Sequence, residues 1–389
     1  MYYEVIPTTT FKKSPLFSDG LLTYSFDQNL APGTIVSIPL GKKTALGIIY
    51  RKTTAPTDQN FIIKSINKIV HPIPLPNHLL KSLAWLSSYY LNPVAKTANL
   101  FLPLGIEKNR RKKSTTTTAT TATTTDTISA TPVKTATPAT ITSTTINTTP
   151  SATTSKQIPL NSAQKQALAE LHKIKTHTKL LHGITGSGKT NIYLELASQV
   201  FSLNQSVILL VPEISLTPQL VGRFQEHFGT QVISLHSKLT EAERHLIWQR
   251  IHEADQSTPF VIIGPRSALF SPLKNLGLII IDEAHEPSFY QDTSPHYHAL
   301  RLASFMAQTL KIDCLLGTAT PRVEDYFLAQ KNHAYVALSE KAKSITSQTK
   351  ISLIDLKDRA LFTRNRYFSD ALLQDIENNL KQHKQTLLF

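Results

Sequence analysis

The residues best equipped for chemistry in this 389-residue chain lie in LHGITGSGKTNIYLEL, Leu181–Leu196. Gly183, Ile184, Thr185, Gly186, Ser187, Gly188, Lys189 and Thr190 fit the pattern G-x-x-x-x-G-K-[ST]. Such a loop brings backbone N–H groups close to phosphates, because glycine puts no Cβ in the way. The helix that follows adds the positive end of its dipole. In that frame Lys189 reaches the β- and γ-phosphates of ATP, and Thr190 places its hydroxyl on Mg²⁺. An acidic partner is then needed, and LGLIIIDEAHE supplies it after an apolar run. Asp282 is expected to hold Mg²⁺, directly or through water. Glu283 is expected to orient and deprotonate the attacking water. His285 closes the DEAH tetrad and is expected to couple the site to its surroundings.

These residues work only if strands and helices position them. From Ile158 onward, KLLHGI, SVILLVP, PFVIIG, LGLIIIDEAH and DCLLGTATP are short apolar runs separated by helical stretches. That alternation predicts a parallel α/β sheet with the phosphate loop between a strand and a helix. The front of the chain reads differently. Up to about residue 106, turn signals punctuate alternating segments. TIVSIPL and ALGIIY predict strands, and LLKSLAWLSSYY predicts a helix closing a small β-rich domain. Between the two regions, EKNRRKK leads into a tract from Ser114 to Ser155 made almost wholly of Thr, Ala, Ser and Pro. Such a tract has too little apolar surface to offset its ordering entropy and predicts a disordered linker.

Composition narrows the classes. Lys plus Arg number 41 against 27 Asp plus Glu, a formal charge of +14, which suits a polyanionic partner. Cys314 is the sole cysteine, so neither a disulfide framework nor a cysteine zinc site can form within one chain. The start, MYYEVIPTTTFKK, lacks the basic-then-apolar layout of a signal peptide. No stretch reaches the roughly 18 consecutive apolar residues of a membrane span. A cytoplasmic protein without membrane contact is expected.

Together with GTATP (Gly317–Pro321), DEAH and the phosphate loop resemble the first motor lobe of a superfamily 2 helicase. LVPEISLTPQL, LHS, IIGPRSALFSPLKNLGLIIIDEAHEPSFYQ and LLGTATPRVEDY are similar to the PriA family of replication-restart helicases. LLTYSFDQNLAPGTIVSIPLGKKTALGIIY is similar to that family's 3′-end DNA-binding domain. The resemblance implies an α/β fold: a β-rich DNA-binding domain over 1–106, a basic, Thr-rich disordered linker over 107–156, a RecA-like P-loop NTPase lobe over 157–340, and a connector over 341–389. It implies an ATP- and Mg²⁺-dependent 3′→5′ DNA helicase. Such an enzyme would recognise single-stranded and forked DNA at stalled forks and initiate primosome assembly with replication-restart proteins and single-stranded DNA-binding protein.

Carried over by position, the resemblance gives Gln164 to the adenine base and Arg266 and Ser267 to DNA phosphates. Thr318 and Thr320 become the link between nucleotide and DNA. Phe289 and Tyr290 either stack on bases or pack on the core. Leu22, Thr23, Gly41 and Lys64 match a pocket for a terminal 3′ nucleotide, although a plain turn glycine and a solvated lysine read equally well there. Pro265 stands where the family has threonine, and His296 and Leu300 stand where it has arginines. The Thr-rich tract lies where the family carries a winged-helix domain, and the family's zinc cysteines are absent here. FSDALLQDIENNLKQHKQTLLF resembles the helix and first strand leading into a second motor lobe. The chain therefore reads as truncated, expected to bind ATP and DNA but to turn over slowly alone. A non-catalytic DNA-binding remnant and an RNA-directed DEAH helicase remain as alternatives.

Overall fold

The computed structural model describes residues 1–9, 20–55, 62–107, 158–342 and 351–388. The tract expected as a disordered linker falls outside them, apart from Glu107. The described part divides into two compact units, Met1–Ala342 and Lys343–Phe389.

The front of the first unit is an antiparallel sheet of β1 (Tyr2–Pro7), β2 (Leu22–Ser25), β3 (Ile35–Leu40), β4 (Lys43–Thr53) and β5 (Lys68–His71), in the order β2-β1-β4-β3-β5. Successive side chains on a strand point to opposite faces, so the sheet sorts its apolar residues into two sets. Tyr3, Val5, Val36, Ile38 and Ile49 fill one core, while Ile6, Ile35 and Ile48 pack towards α1 (Asn77–Tyr89) and α2 (Val94–Ala98). Leu40 pairs with Lys43, leaving Gly41 and Lys42 as a two-residue hairpin turn. Gly41 sits at φ +62°, the backbone region such turns demand.

The rest of the unit is a parallel seven-stranded sheet, order β14-β6-β13-β10-β7-β9-β8. It begins with α3 (Ser162–Lys173), β6 (Thr178–Gly183), α4 (Lys189–Ser202), β7 (Ser206–Leu210) and α5 (Pro218–Phe228). Next come β8 (Val232–Ser234), α6 (Glu241–Glu253), β9 (Val261–Gly264) and β10 (Leu276–Ile281). A short hairpin of β11 (Tyr290–Gln291) and β12 (Tyr297–His298) leads to α7 (Ala299–Leu310), β13 (Asp313–Thr318), α8 (Val323–Lys331) and β14 (Tyr335–Leu338). The five apolar runs of the sequence became β6, β7, β9, β10 and β13. The two edge strands, β8 and β14, are three and four residues long and too short to stand out by pattern.

Both faces of this sheet are covered, as a parallel sheet requires. On β7, Val207 and Leu209 join one core with Tyr193 and Phe224. Ile208 and Leu210 join another, which runs on through Phe270 and Phe101 to the front sheet's Ile35. The β-rich region and the α/β region thus share a hydrophobic core.

In the second unit α9 (Asp370–Lys381) forms, with the Ser369 hydroxyl accepting from the Leu372 N–H at 3.2 Å as its cap. The strand expected after it does not form among the described residues. A lone strand leaves its ladder groups unpaired, and no neighbouring strand is described in this unit. No helix among the described residues is long and apolar enough to cross a membrane.

Candidate nucleotide and DNA site

β6 ends at Gly183 and α4 begins at Lys189, so the phosphate loop turns the chain from strand to helix. Gly186 and Gly188 both hold φ +79°, a left-handed conformation that glycine alone adopts without strain. The rim formed by Ile184, Thr185 and Gly186 is exposed, while Ser187 and Lys189 are buried and Thr190 half-buried. Lys189 Nζ folds back and donates to the Gly183 carbonyl at 2.9 Å. The buried Ser187 Oγ has no hydrogen-bond partner among the described residues. A buried ammonium, an unpartnered hydroxyl and a helix N-terminus make a donor set suited to a polyphosphate.

Gln164 bonds to protein groups on both sides. Its amide oxygen accepts from the Asn161 N–H at 3.0 Å, closing a capping box on α3, and its Nε2 donates to the Ser187 carbonyl at 3.0 Å. It is 1% exposed. The side chain pins the helix start to the phosphate loop.

Asp282 lies just past β10, and Thr318 ends β13, which separates β10 from β6. The C-terminal edges of three adjacent strands therefore bring the acidic, GTAT and phosphate-loop motifs together. Asp282 Oδ1 accepts a hydrogen bond from the Tyr193 hydroxyl at 2.9 Å. Burial pushes the Asp282 carboxyl up, opposed by that hydrogen bond and by the nearby Lys189 ammonium. Glu283 is also raised, by burial and then by Asp282 beside it. Glu283 holds φ +48°, an unfavourable backbone region for a side chain of its size. Residues held in such conformations cost about 1–3 kcal/mol and cluster at functional sites. An oxygen-donor set of one carboxylate and one hydroxyl beside phosphates suits Mg²⁺, so Asp282 and Thr190 fit the metal that the motif implies.

His285 Nδ1 lies 2.8 Å from Thr318 Oγ1, with Glu283 at 3.5 Å and Glu286 at 3.8 Å from the ring nitrogens. Thr318 Oγ1 also accepts from the Thr320 N–H at 3.1 Å. Arg322, outside the expected set, donates to the His285 carbonyl through Nε at 3.1 Å and Nη2 at 3.0 Å, fixing the chain as it leaves the acidic motif. Tyr193 was missed as well. Its place one helical turn after Lys189 on α4 was the available signal.

Beside these motifs, a cavity of about 730 Å³ lies next to the front region, lined by Asn99, Pro212, Ile214, Arg266, Ser267 and Gln291 among others. Arg266 Nη1 donates to the Ser288 carbonyl at 2.6 Å and the Tyr290 carbonyl at 3.3 Å, so the guanidinium holds the EPSFYQ loop in place. Ser267 is exposed. Phe289 is 1% exposed and packed in the core, so the base-stacking role is corrected for it: only Tyr290, at 45%, presents a ring to solvent.

At the front, the structure brings Gly41 and Lys64 together, with Lys64 Nζ donating to the Gly41 carbonyl at 3.2 Å. A Cβ on Gly41 would meet nothing within 4 Å, so the turn borders open space. Half-buried Leu22 and Thr23 lie on β2, tied to the same end by the Tyr24 hydroxyl, which donates to the Pro39 carbonyl at 2.9 Å.

Two family models match, a DEAD/DEAH box helicase over 161–327 and the PriA 3′ DNA-binding domain over 13–103. The replication restart protein PriA of Chlamydia muridarum is 31% identical over 443 aligned positions, covering 100% of this chain and 58% of that protein. From end to end the chain is similar to PriA proteins. The Bacillus subtilis PriA is 38% identical over 240 positions, 60% of this chain and 29% of that protein. The Haemophilus influenzae PriA is 37% identical over 242, covering 62% and 32%. The chain spans 58% of the length of its Chlamydia relative. Both PriA segments, the 3′ DNA-binding match and the helicase match, lie mainly within the single compact unit that ends at Ala342.

Proposed function

We propose that this chain carries the nucleotide-binding lobe and the 3′-end DNA-binding module of an ATP-dependent 3′→5′ DNA helicase of replication restart. The reading is carried by the convergence of Lys189, Asp282 and the His285–Thr318 pair on three adjacent strand ends, beside the cavity bordered by Arg266. Lys189 binds the β- and γ-phosphates after releasing the Gly183 carbonyl. Ser187 and the start of α4 supply further donors. Thr190 and Asp282 would hold Mg²⁺, which would supply charge neutralisation at the phosphates. Glu283 orients water and takes its proton, a role favoured by its raised pKa. His285 and Thr318 pass the state of the nucleotide to the DNA surface. Gly41 and Lys64, with Leu22 and Thr23, receive the 3′ terminus of a nascent strand at a fork. Recruitment of primosome proteins and of single-stranded DNA-binding protein follows from the same reading, as does work in the cytoplasm.

The test is equilibrium binding of a fluorescent ATP analogue and of forked DNA to the 389-residue chain. Lys189→Ala should weaken nucleotide binding at least tenfold, and forked DNA with a free 3′ end should outcompete structured RNA. Equal nucleotide affinity in the variant, or preference for RNA, refutes the proposal. Affinity for DNA should fall steeply with salt.

A further inference from the structure

Three motifs meet at one hydroxyl. Tyr193 is fully buried on α4, and its Oη donates to Asp282 Oδ1 at 2.9 Å. The ring reaches across to β13, where a Cβ on Gly317 would lie 1.7 Å from that Oη and 2.7 Å from Cζ. Gly317 is therefore glycine because the tyrosine occupies the space its side chain would fill. The Gly317 carbonyl in turn accepts from the Ala284 N–H at 3.0 Å, fastening the acidic motif to the same strand.

We infer that Tyr193 is a positioning residue: its hydroxyl fixes the Asp282 carboxylate for Mg²⁺, and Gly317 gives it room. A carboxylate turns about a soft, roughly two-fold torsion and presents either oxygen when unrestrained. Engaging Oδ1 restrains that torsion and holds the carboxylate in one orientation. Groups that orient metal ligands from behind in this way typically govern metal affinity by 10- to 100-fold. The inference rests on the reading that Mg·nucleotide binds between Lys189 and Asp282.

The experiment titrates Mg²⁺ into the full chain with a fluorescent ATP analogue, comparing the parent with Tyr193→Phe, which keeps the ring. The Mg²⁺ concentration for half-maximal binding should rise about tenfold, while affinity measured in EDTA stays unchanged. A melting curve checks that the variant folds. A role in packing alone shifts the melting temperature and leaves the Mg²⁺ midpoint within twofold of the parent, which overturns the inference. If Tyr193→Phe fails to fold, Gly317→Ala reads the same coupling, because its Cβ would displace the Tyr193 hydroxyl from Asp282: the Mg²⁺ midpoint should rise, and a midpoint equal to the parent's also overturns the inference. Absence of nucleotide binding by the parent itself would instead count against the underlying reading.

Discussion

Asn92 grips the backbone of His296 from both sides. Its Oδ1 accepts from the His296 N–H at 2.8 Å, and its Nδ2 donates to the His296 carbonyl at 2.7 Å. Nearby, the Tyr90 hydroxyl accepts from the His298 N–H at 3.1 Å, and Trp85 stacks on Phe305 with centroids 4.7 Å apart and planes 12° from parallel. The β11–β12 hairpin, which presents Tyr290, is thus fastened to the segment following α1. His296 stands where the family has an arginine, but here its main chain forms the joint, and that demand leaves its side chain free to vary.

Asn92→Leu should therefore destabilise the chain more than an exposed substitution does. Asn92 is 2% exposed, and the change would leave a donor and an acceptor of His296 unpaired. A buried group left without its partner costs about 1–3 kcal/mol. Urea denaturation should show a lowered midpoint with unchanged slope. A midpoint equal to the parent's would mean the joint contributes nothing.

Acid should loosen the packing around α1 and α6. His78 on α1 and His252 on α6 are buried, and burial pushes each imidazole down to about 4 from an ordinary 6.5. His252 Nε2 contacts the Pro74 carbonyl at 3.1 Å, with His71, Trp248 and Lys274 around the ring. Glu253 lies 3.8 Å from His71. A folded-state pKa below the unfolded value adds stability above the unfolded pKa and loses it as pH falls through the folded one. Unfolding free energy should drop between about pH 6.5 and pH 4, by at most on the order of 3 kcal/mol for each imidazole. His252→Gln, which cannot charge, should flatten that slope; an unaltered slope would remove His252 from the account.

Much of this was legible in the chain itself. The phosphate loop and DEAH stood out because their chemistry fixes both residue type and spacing, and the five buried strands because both faces of a parallel sheet must be apolar. Interactions made across long sequence distance were not legible. Nothing about Asn92 announces a partner 204 residues away, and nothing about Gly317 shows that a tyrosine hydroxyl fills the space beside it. Gln164 and Arg266 sat where expected yet bind protein groups, because capping boxes and loop carbonyls compete for the same donors as ligands do. Phe289 was open between surface and core, since an aromatic residue in a short loop satisfies either pattern.

Cys314 should be inert until the sheet opens. It lies on β13 with no exposed surface, and burial pushes its thiol up to about 12. Since the thiolate is the reactive form, modification by a disulfide reagent at neutral pH should be negligible in the folded chain and complete in urea. Reaction in the native chain at the rate of a free thiol would contradict a core position for β13.

The His285–Thr318 contact should carry the exchange between nucleotide and DNA. At 2.8 Å it is the direct side-chain link between the acidic motif and the strand end that leads to Thr320, and Thr318 is 1% exposed. Thr318→Val keeps the shape and removes a hydroxyl that makes two hydrogen bonds, so the fold should lose about 1–3 kcal/mol, the usual cost of leaving buried partners unpaired. Coupling between two sites is reciprocal, so whatever factor DNA applies to nucleotide affinity, nucleotide applies to DNA affinity. Paired titrations should show that factor well away from one in the parent, typically 5- to 150-fold for coupled sites, and close to one in Thr318→Val, with each ligand still binding by itself. If the variant retains the full factor, the signal travels by another route, the nearest being Arg322 on the His285 carbonyl.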